Sequence, residues 1–352
     1  MFRSVKGQAM KVLITGGAGF IGSNFVLHML EEHPGYNIVV VDKLTYAGNL
    51  GNLAAVLDGS RLQFVRMDIC DPAIADVVQG CDAVVHFAAE SHVDRSIEDA
   101  SAFIRTNIEG TWRMVEACRV ARVARYLQVS TDEVYGSLGP EGQFTESSPL
   151  AANSPYAATK AAADLIVSAA VQTYGFPAII TRCSNNYGPR QFPEKFIPLM
   201  IARAMSDQPL PIYGDGQNAR DWIHVGDHCR ALDLILHRGT DSEVYNVGGE
   251  CELRNIEVAY RILDVLGKPR TLIQFVADRP GHDRRYALDC RKLKTALGWK
   301  QCRNFTEGLA STIQWYQNNG PWLESVHSQT YRDYCDRHYL HRELLLAGIK
   351  SA

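Results

Sequence analysis

Residues 11–22 read KVLITGGAGFIG, and this stretch decides the fold. Its first five residues, apolar at Val12, Leu13 and Ile14, predict a buried strand, and the glycines that follow at once predict a tight turn into a helix. The helical pattern continues to about Glu32, and Asp42 ends the next apolar run, 20 residues after Gly22. A glycine-rich turn between strand and helix, with an acid at the next strand end, indicates dinucleotide binding, because the backbone can approach a pyrophosphate at the helix N-terminus.

Asp42 also bears on which dinucleotide is bound. Its carboxylate would accept hydrogen bonds from the adenosine ribose and would repel a 2′-phosphate, which favours NAD over NADP. Lys43 follows directly and would soften that repulsion. We therefore expect NAD as the cofactor.

Strand and helix patterns alternate through the N-terminal half of the chain. The strand patterns occupy 38–41, 62–67, 83–87 and 125–129, and helical patterns lie around 100–119 and 155–174. Such alternation, with strands that are apolar on both faces, indicates a parallel sheet covered by helices on both sides. We predict an α/β protein with a Rossmann-type doubly wound parallel sheet.

Length, charge and cysteine content narrow the class of protein. A chain of 352 residues exceeds what one hydrophobic core usually supports, and a net charge of -3 leaves no basic patch for nucleic acid. The nine cysteines are odd in number and lack C-x-x-C spacing, which indicates reduced thiols. No signal-peptide or membrane-spanning pattern is visible. We expect a cytoplasmic protein of two lobes, without a nucleic-acid or membrane partner.

Tyr156 and Lys160 form a second candidate motif. Ser154 and Pro155 precede them and predict the start of a helix, on which positions four apart share one face. A nearby ammonium group stabilises a phenolate and lowers the pKa of a tyrosine from its usual ~10, so that the side chain can act as a base. With Ser130-Thr131 at a strand end and the glycine turn upstream, the sequence resembles the extended short-chain dehydrogenase/reductase family. That resemblance implies that Thr131, Tyr156 and Lys160 are catalytic.

Further motifs narrow the resemblance to the dTDP-glucose 4,6-dehydratases within that family. The motifs are LTYAGN (44–49), AAESHVDRSI (88–97), TDEVYG (131–136), SNNYGPRQFPEKFIP (184–198), DGQNARDWIHV (215–225) and DRPGHDRRYALD (278–289). The resemblance implies a lyase that forms dTDP-4-keto-6-deoxyglucose and water. Its steps are oxidation at carbon 4, loss of water across carbons 5 and 6, and hydride return to carbon 6. A 4,6-dehydratase or 4-epimerase for another nucleotide-sugar, such as UDP-glucose, is the alternative.

Asp132 and Glu133 distinguish a dehydratase from the related epimerases, which generally lack this pair. A dehydratase removes a proton from one carbon and a hydroxide from its neighbour. The resemblance implies that ionised Glu133 takes the carbon-5 proton and that protonated Asp132 donates to the departing 6-hydroxyl. Mutual repulsion and unequal burial would separate the two titrations into an acid and a base.

The predicted cofactor contacts lie at strand ends and helix starts. They are Gly16, Gly19, Phe20, Ile21, Gly22, Asp42, Lys43, Leu44, Thr45, Asp68, Ile69, Phe87, Ala88, Ala89, Thr106, Tyr156, Lys160 and Asn186. Asp68 would either accept from the adenine amino group or cap the helix that follows.

The predicted substrate contacts fall mainly in the C-terminal half. They are Ser91, Thr131, Asn185, Asn186, Lys195, Tyr213, Arg220, Asn255, Arg279 and His282. Lys195, Arg220 and Arg279 are candidate ligands of the diphosphate. The resemblance implies that Tyr213 stacks on the thymine, Asn255 bonds the nucleoside and His282 reaches the phosphates. No second histidine or cysteine stands at ligand spacing from His282, so we predict no metal site.

The same resemblance implies the domain organisation and the assembly. We expect an NAD-binding Rossmann domain over 1–184 and a mainly nucleotide-sugar-binding domain over 185–352, with the two lobes interleaved. We also expect a homodimer formed by the helices near 100–119 and 155–174. The pathway that the product enters, cell-wall rhamnose or an antibiotic deoxysugar, is left open by the sequence.

Overall fold

The computed structural model describes residues 9–326 together with Asp333, His338 and Tyr339. The strands are β1 Lys11–Thr15, β2 Asn37–Asp42, β3 Leu62–Arg66, β4 Ala83–His86, β5 Arg125–Thr131, β6 Ala178–Cys183, β7 Asn185–Tyr187, β8 Leu210–Tyr213, β9 Ala219–His224, β10 Val244–Val247, β11 Glu252–Arg254 and β12 Ile273–Val276. The helices are α1 Phe20–Glu32, α2 Ile74–Val78, α3 Val93–Glu98, α4 Ser101–Phe103, α5 Thr111–Val120, α6 Pro155–Tyr174, α7 Phe196–Met205, α8 Val225–Arg238, α9 Asn255–Leu266, α10 Arg291–Leu297, α11 Phe305–Asn318 and α12 Gly320–Val326.

Seven strands form a parallel sheet in the order β10-β6-β5-β4-β1-β2-β3. Successive residues of β1 face opposite sides, with Val12 and Ile14 in one core and Leu13 in the other. Helices α1 and α8 contribute to the first core, whereas α5 and α6 contribute to the second. The prediction of a doubly wound α/β fold is therefore confirmed.

Local signals set the ends of the long helix α6. The Ser154 hydroxyl accepts a hydrogen bond from the backbone N–H of Ala157, and Pro155 occupies the first turn. Gly175 ends the helix in the left-handed conformation, with φ of +63°. The predicted range 155–174 is confirmed because capping residue, proline and glycine all act locally.

The predicted helix near 100–119 is not a regular α-helix. It consists of α4, a wide π-type segment over Ile104–Gly110, and α5. The π-type segment buries Thr106 and Asn107, and Thr106 faces the cleft described below. Such wide turns recur at functional sites because they redirect side chains within a helix.

The C-terminal half builds two smaller sheets, with strand orders β11-β9-β7 and β12-β8. A separate core of α7, α9 and α11 side chains packs against them. Strand β10 nevertheless joins the edge of the large sheet, and α8 packs against α1. A single boundary after residue 184 therefore does not divide the strands of the two halves. No helix among the described residues is long and apolar enough to cross a membrane.

Candidate active site

A deep cleft opens at the carboxyl ends of β1, β2, β4, β5 and β6. Gly16 follows β1 with φ of +68°, and a Cβ there would lie 2.7 Å from the backbone nitrogen of Ala88. A Cβ on Gly22 would overlap the carbonyl oxygen of Gly16. The first N–H groups of α1, at Phe20 and Ile21, lie at the end where a helix leaves them unpaired. This cradle fits the pyrophosphate of a dinucleotide.

The structure brings nearly all predicted cofactor contacts to this cleft. Its lining includes Gly16, Gly19, Phe20, Ile21, Gly22, Asp42, Lys43, Thr45, Asp68, Ile69, Phe87, Ala88, Ala89, Thr106, Tyr156, Lys160 and Asn186. Leu44 does not line it. The Leu44 backbone has φ of +57°, and its N–H donates to Asp42 Oδ1 at 2.8 Å. Leu44 therefore acts through its backbone, by orienting the acid.

Asp42 stands at the end of β2 inside the cleft. Its second oxygen, Oδ2, accepts from the Ala18 N–H at 3.0 Å, so each carboxylate oxygen has one backbone donor. Burial raises the pKa of Asp42, while these hydrogen bonds and Lys43 act against the rise. Because each carboxylate oxygen can accept twice, Asp42 keeps the capacity to accept from a ribose diol.

Asp68 belongs to a small polar group at the outer end of the cleft. Its Oδ1 accepts from the Cys70 N–H at 2.9 Å, and Lys43 Nζ lies 3.5 Å from its Oδ2. Lys43 also donates to Thr106 Oγ1 at 3.4 Å. Asp68 therefore closes a local turn and lines the cleft, but it does not cap α2, whose N-cap residue is Ala73.

A second cavity adjoins the first and holds most of the predicted substrate contacts. It is lined by Asn185, Lys195, Tyr213, Arg220, Asn255, Arg279 and His282, among others. Ser91, Thr131 and Asn186 line the cofactor cleft instead. Glu133, Asn185, Glu194 and Lys195 line both cavities, so Glu133 lies where cofactor and substrate would meet.

Asp132 is the more deeply buried of the two adjacent acids, with 2% of its surface exposed. Burial raises the pKa of its carboxyl well above the usual value, and Glu133 and Asp221 raise it further. Asp132 Oδ1 accepts from the Thr131 hydroxyl at 3.2 Å, while Oδ2 has no partner among the described residues. A buried carboxyl that lacks a cationic partner in contact is favoured in its protonated form.

Glu133 has a different electrostatic environment. Burial raises the pKa of its carboxyl, but the positive charges of Arg279, Lys195 and Arg220 oppose the rise. The strong upward shift therefore falls on Asp132, whereas cations favour the ionised form of Glu133. This is the direction that the sequence predicted for an acid and a base.

Tyr156 and Lys160 lie on one face of α6 and both reach the cleft. The structure does not reproduce the predicted fall in the pKa of Tyr156. Burial, followed by the charge of Glu133, raises that pKa well above its usual value, and a hydrogen bond with Thr131 acts in the opposite direction. Lys160 Nζ donates to the carbonyl oxygen of Val129 at 2.8 Å, because a buried ammonium group requires an acceptor.

The cations of the second cavity are held by backbone and carboxylate acceptors. Arg220 donates to the carbonyl oxygens of Ala219 and Asp283, each at 2.8 Å, and its guanidinium lies 4.4 Å from the centre of the Tyr286 ring. Arg279 Nη1 lies 3.7 Å from Asp94 Oδ1, and its buried Nε has no partner among the described residues. An unpaired buried guanidinium N–H suits an anionic ligand.

Aromatic and imidazole groups also line this cavity. The Tyr213 hydroxyl donates to Asp94 Oδ2 at 2.9 Å, and its ring contacts His282 edge-on, with centroids 6.1 Å apart. Burial lowers the pKa of His282 to about 4 despite its contact with Asp278. His282 is therefore neutral near pH 7 and can offer a phosphate a hydrogen bond but not a charge.

Three residues of the site were missed in the sequence. Glu194 is buried, lines both cavities and pairs with Arg95 at 3.0 Å, while His92 and Asp94 line the second cavity. Each lies inside a quoted motif, so the motif was available as a signal. Nothing in the linear sequence shows that these side chains turn inward.

Known proteins match most of the length of this chain. Residues 13–312 match the family model described as GDP-mannose 4,6 dehydratase. A dTDP-glucose 4,6-dehydratase of Streptomyces niveus is 50% identical to this chain, and the match covers 91% of this chain and 96% of that protein. The chain belongs to the dTDP-glucose 4,6-dehydratase family.

Solved structures of this dehydratase family and of its neighbours share the fold. The Streptomyces venezuelae dTDP-glucose 4,6-dehydratase, with NAD and dTDP bound, is 50% identical with a TM-score of 0.88, over 90% of this chain and all of that one. The Thermus thermophilus UDP-glucose 4-epimerase in complex with NAD is 32% identical with a TM-score of 0.82, over 88% of this chain and all of that one. Because the fold is common to dehydratase and epimerase, the side chains of the site must distinguish the two reactions.

Proposed function

We propose that the chain is an NAD-dependent dTDP-glucose 4,6-dehydratase, a hydro-lyase that releases dTDP-4-keto-6-deoxyglucose and water. The observation that carries this proposal is the pair Asp132 and Glu133 beside the junction of the two cavities. Loss of water from neighbouring carbons needs both an acid and a base, and this pair offers carboxyls in unequal environments. Fifty per cent identity to a dehydratase of that name supports the same conclusion.

The glycine cradle, Asp42 and the cleft lining hold the cofactor. These residues would hold NAD, and the chemistry supplied by the bound cofactor would be acceptance of a hydride from carbon 4 of the sugar and its return to carbon 6. Tyr156 removes the proton of the 4-hydroxyl, and Thr131, whose hydroxyl donates to Asp132 Oδ1 here, would hydrogen-bond the 4-hydroxyl and keep it in line. The positive charge of a bound nicotinamide would lower the pKa of Tyr156, which Lys160 alone does not do here.

Glu133 and Asp132 carry the elimination. The 4-keto group acidifies the hydrogen on carbon 5, and ionised Glu133 takes it. Protonated Asp132 donates to the departing 6-hydroxyl, so that the leaving group is water. Burial favours the protonated form of Asp132, whereas three cations oppose the rise that burial causes in the pKa of Glu133.

The second cavity binds the nucleoside diphosphate. Three cations act on the charge of Glu133: Arg220, Arg279 and Lys195. They would contact the diphosphate, and the sugar would then lie toward Asp132 and Glu133. Tyr213 would stack on the base, Asn255 would hydrogen-bond the nucleoside, and His282 would hydrogen-bond the phosphates. The bound diphosphate would partly neutralise the three cations and so raise the basicity of Glu133.

The proposed function is tested by turnover of dTDP-, UDP-, GDP- and CDP-glucose without added NAD. We expect dTDP-glucose to give a product that develops a strong ultraviolet chromophore in alkali, while reduced cofactor does not accumulate, because each turnover returns its hydride. A product with inverted carbon 4 would indicate an epimerase. Faster turnover of another nucleotide would contradict the proposed base preference.

We further propose a homodimer formed by the π-type segment with α5 and by α6. Five of the large apolar side chains that are exposed lie on these elements: Ile104, Trp112, Val120, Leu165 and Tyr174. A contiguous apolar helical face marks a protein interface, and a second copy offers the same face about a two-fold axis. The two helical elements of each copy would then pack as a four-helix bundle.

Leu165→Glu should convert the protein to a monomer, because an isologous interface places the new charge in the apolar contact twice. The measurement is molar mass by light scattering. Val265→Glu is the matched control, since Val265 is half exposed but lies on α9, away from the patch. A Leu165→Glu protein with the mass of the parent would contradict this interface.

We propose a cytoplasmic location for the protein. The eight cysteines that the structure describes are free thiols, which is the state that a reducing compartment maintains. Cell fractionation would test this location.

A further inference from the structure

Three imidazoles and one carboxylate meet where the C-terminal part of α1 contacts α8. His28 lies in α1 and His33 directly follows it, whereas Asp233 and His237 lie one turn apart on α8. None of these side chains lines either cavity of the active site. The proposed reaction leaves the cluster without a role.

The ring nitrogens converge on the Asp233 carboxylate. His33 Nε2 lies 2.9 Å from Oδ1, and His237 Nδ1 lies 2.8 Å from the same oxygen. The ligand atoms of these three residues all lie within 4.8 Å of one another. In a tetrahedral zinc site, bonds of ~2.0–2.2 Å place neighbouring ligand atoms roughly 3.4 Å apart. The two contacts with Asp233 Oδ1 are 2.9 Å and 2.8 Å, and all three ligand atoms lie within 4.8 Å, so the observed limits lie on either side of that separation.

His28 and Tyr36 contact two of the three candidate ligands and orient their side chains. His28 Nε2 lies 2.9 Å from Asp233 Oδ2, an oxygen that His33 Nε2 also approaches at 3.1 Å. The Tyr36 hydroxyl lies 2.8 Å from Nε2 of His237, the ring nitrogen that is not directed at Asp233. Metal-ligating imidazoles and carboxylates in proteins have outer partners of this kind, which fix the ring orientation and increase basicity.

Packing fixes the cluster in place without sealing it from solvent. The His33 ring stacks on Tyr36 and on His237, with centroids 4.6 Å and 4.8 Å apart. The three candidate ligand side chains are 14–24% exposed, which leaves a route for an ion.

We propose that His33, Asp233 and His237 bind a divalent transition-metal ion of the zinc type, with His28 and Tyr36 as positioning residues. Two imidazoles and a carboxylate are a donor set that zinc prefers, and water would complete the tetrahedron. The site is structural, because no described cavity that could receive a substrate adjoins it.

The ion would connect helices that serve the two halves of the active site. Helix α1 begins at the glycine cradle, and α8 begins directly after β9, which carries Arg220. A metal bridge between the end of α1 and α8 would restrain the two elements relative to one another. Sequence spacing alone does not predict the site, since the ligands combine an i, i+4 pair on one helix with a residue 200 positions away.

Zinc titration of untagged, chelator-treated protein tests the proposal. We expect one equivalent of Zn²⁺ per chain, an increase in melting temperature, and a visible d–d spectrum typical of tetrahedral coordination when Co²⁺ is used. Asp233→Asn and His33→Gln should weaken zinc binding by more than about 100-fold, whereas Tyr36→Phe should weaken it by about 10–100-fold.

Cys302→Ser is the control, because Cys302 is an exposed thiol that zinc could contact adventitiously. It should leave affinity and stoichiometry unchanged. Circular dichroism of each metal-free variant establishes that it is folded, and Tyr36→Phe keeps the test valid if a ligand variant is not. Absence of stoichiometric zinc binding, or equal affinity in the parent and in folded Asp233→Asn, would overturn the proposal.

Discussion

Tyr156→Phe should slow oxidation of dTDP-glucose by about 10²–10⁴-fold, the range for loss of a positioned general base. The phenol hydroxyl is the group that faces Thr131 and Glu133 in the cleft. Phenylalanine retains the ring, which packs edge-on against Phe103 with centroids 6.4 Å apart. The backbone N–H of Tyr156 donates to Ser96 Oγ at 3.1 Å and is unaffected. Substrate binding and fold should therefore persist.

Rapid mixing of the variant with substrate, followed through the absorbance of reduced cofactor, measures this step directly. Tyr260→Phe provides a matched control on α9, because its ring lies outside both cavities. Binding affinity of the variant for dTDP should equal that of the parent, since the hydroxyl acts mainly in the transition state. Oxidation at the parental rate would exclude Tyr156 as the base.

The raised pKa of Tyr156 gives this step a defined pH dependence. A base is active when it can accept a proton, so the rate of oxidation should rise with pH toward the pKa of the phenol. Bound cofactor adds positive charge and should shift that rise to lower pH. Tyr156→Phe should remove this pH dependence together with most of the rate.

The sequence predicts those parts of the fold that are set by residues close together in the chain. The glycine turn, the ends of α1 and the ends of α6 depend on residues close in sequence, and their predicted positions are confirmed. The edge strand β10 was not predicted, because its pairing with β6 joins residues more than 60 positions apart. The four residues from Val244 to Val247, of which Asn246 is polar, carry too little pattern to place them in a sheet.

In the active site, too, the sequence predicts the features set by local spacing but not those set by distant residues. Tyr156 and Lys160 share a helix face by spacing alone, so their joint presence in the cleft followed from the sequence. The acceptor of Lys160 did not, because Val129 lies 31 positions away on β5. Glu194 was likewise hidden, since its inward orientation depends on the ion pair with Arg95, 99 positions away.

Asp132→Asn should slow loss of water by about 10²–10⁴-fold while leaving oxidation at carbon 4 nearly intact. Asparagine matches the shape of a protonated aspartic acid but has no acidic proton to donate to the 6-hydroxyl. Because burial already favours the neutral form of Asp132, the substitution should cost little stability. The reduced cofactor should therefore accumulate transiently in the variant, since oxidation outruns elimination.

Glu133→Gln should slow removal of the carbon-5 proton, the step that precedes departure of the 6-hydroxyl. Without the carboxylate that takes the carbon-5 hydrogen, exchange of this hydrogen with deuterium from solvent should slow by about the same factor. In Asp132→Asn that exchange should continue, because the variant retains Glu133 and the cations Arg279, Lys195 and Arg220 that favour its ionised form. The two variants thus differ in deuterium content at carbon 5, which mass spectrometry of recovered substrate measures.

The pH profile separates the two acids independently of the isotope. Asp132 works in its protonated form, so its contribution is present below its raised pKa and is lost as pH rises through it. Glu133 works ionised, so its contribution is lost as pH falls through its own pKa. The alkaline limb should disappear in Asp132→Asn and the acidic limb in Glu133→Gln. If Asp132→Asn eliminates water at the parental rate, or if Glu133→Gln exchanges the carbon-5 hydrogen normally, the roles assigned to the pair are wrong.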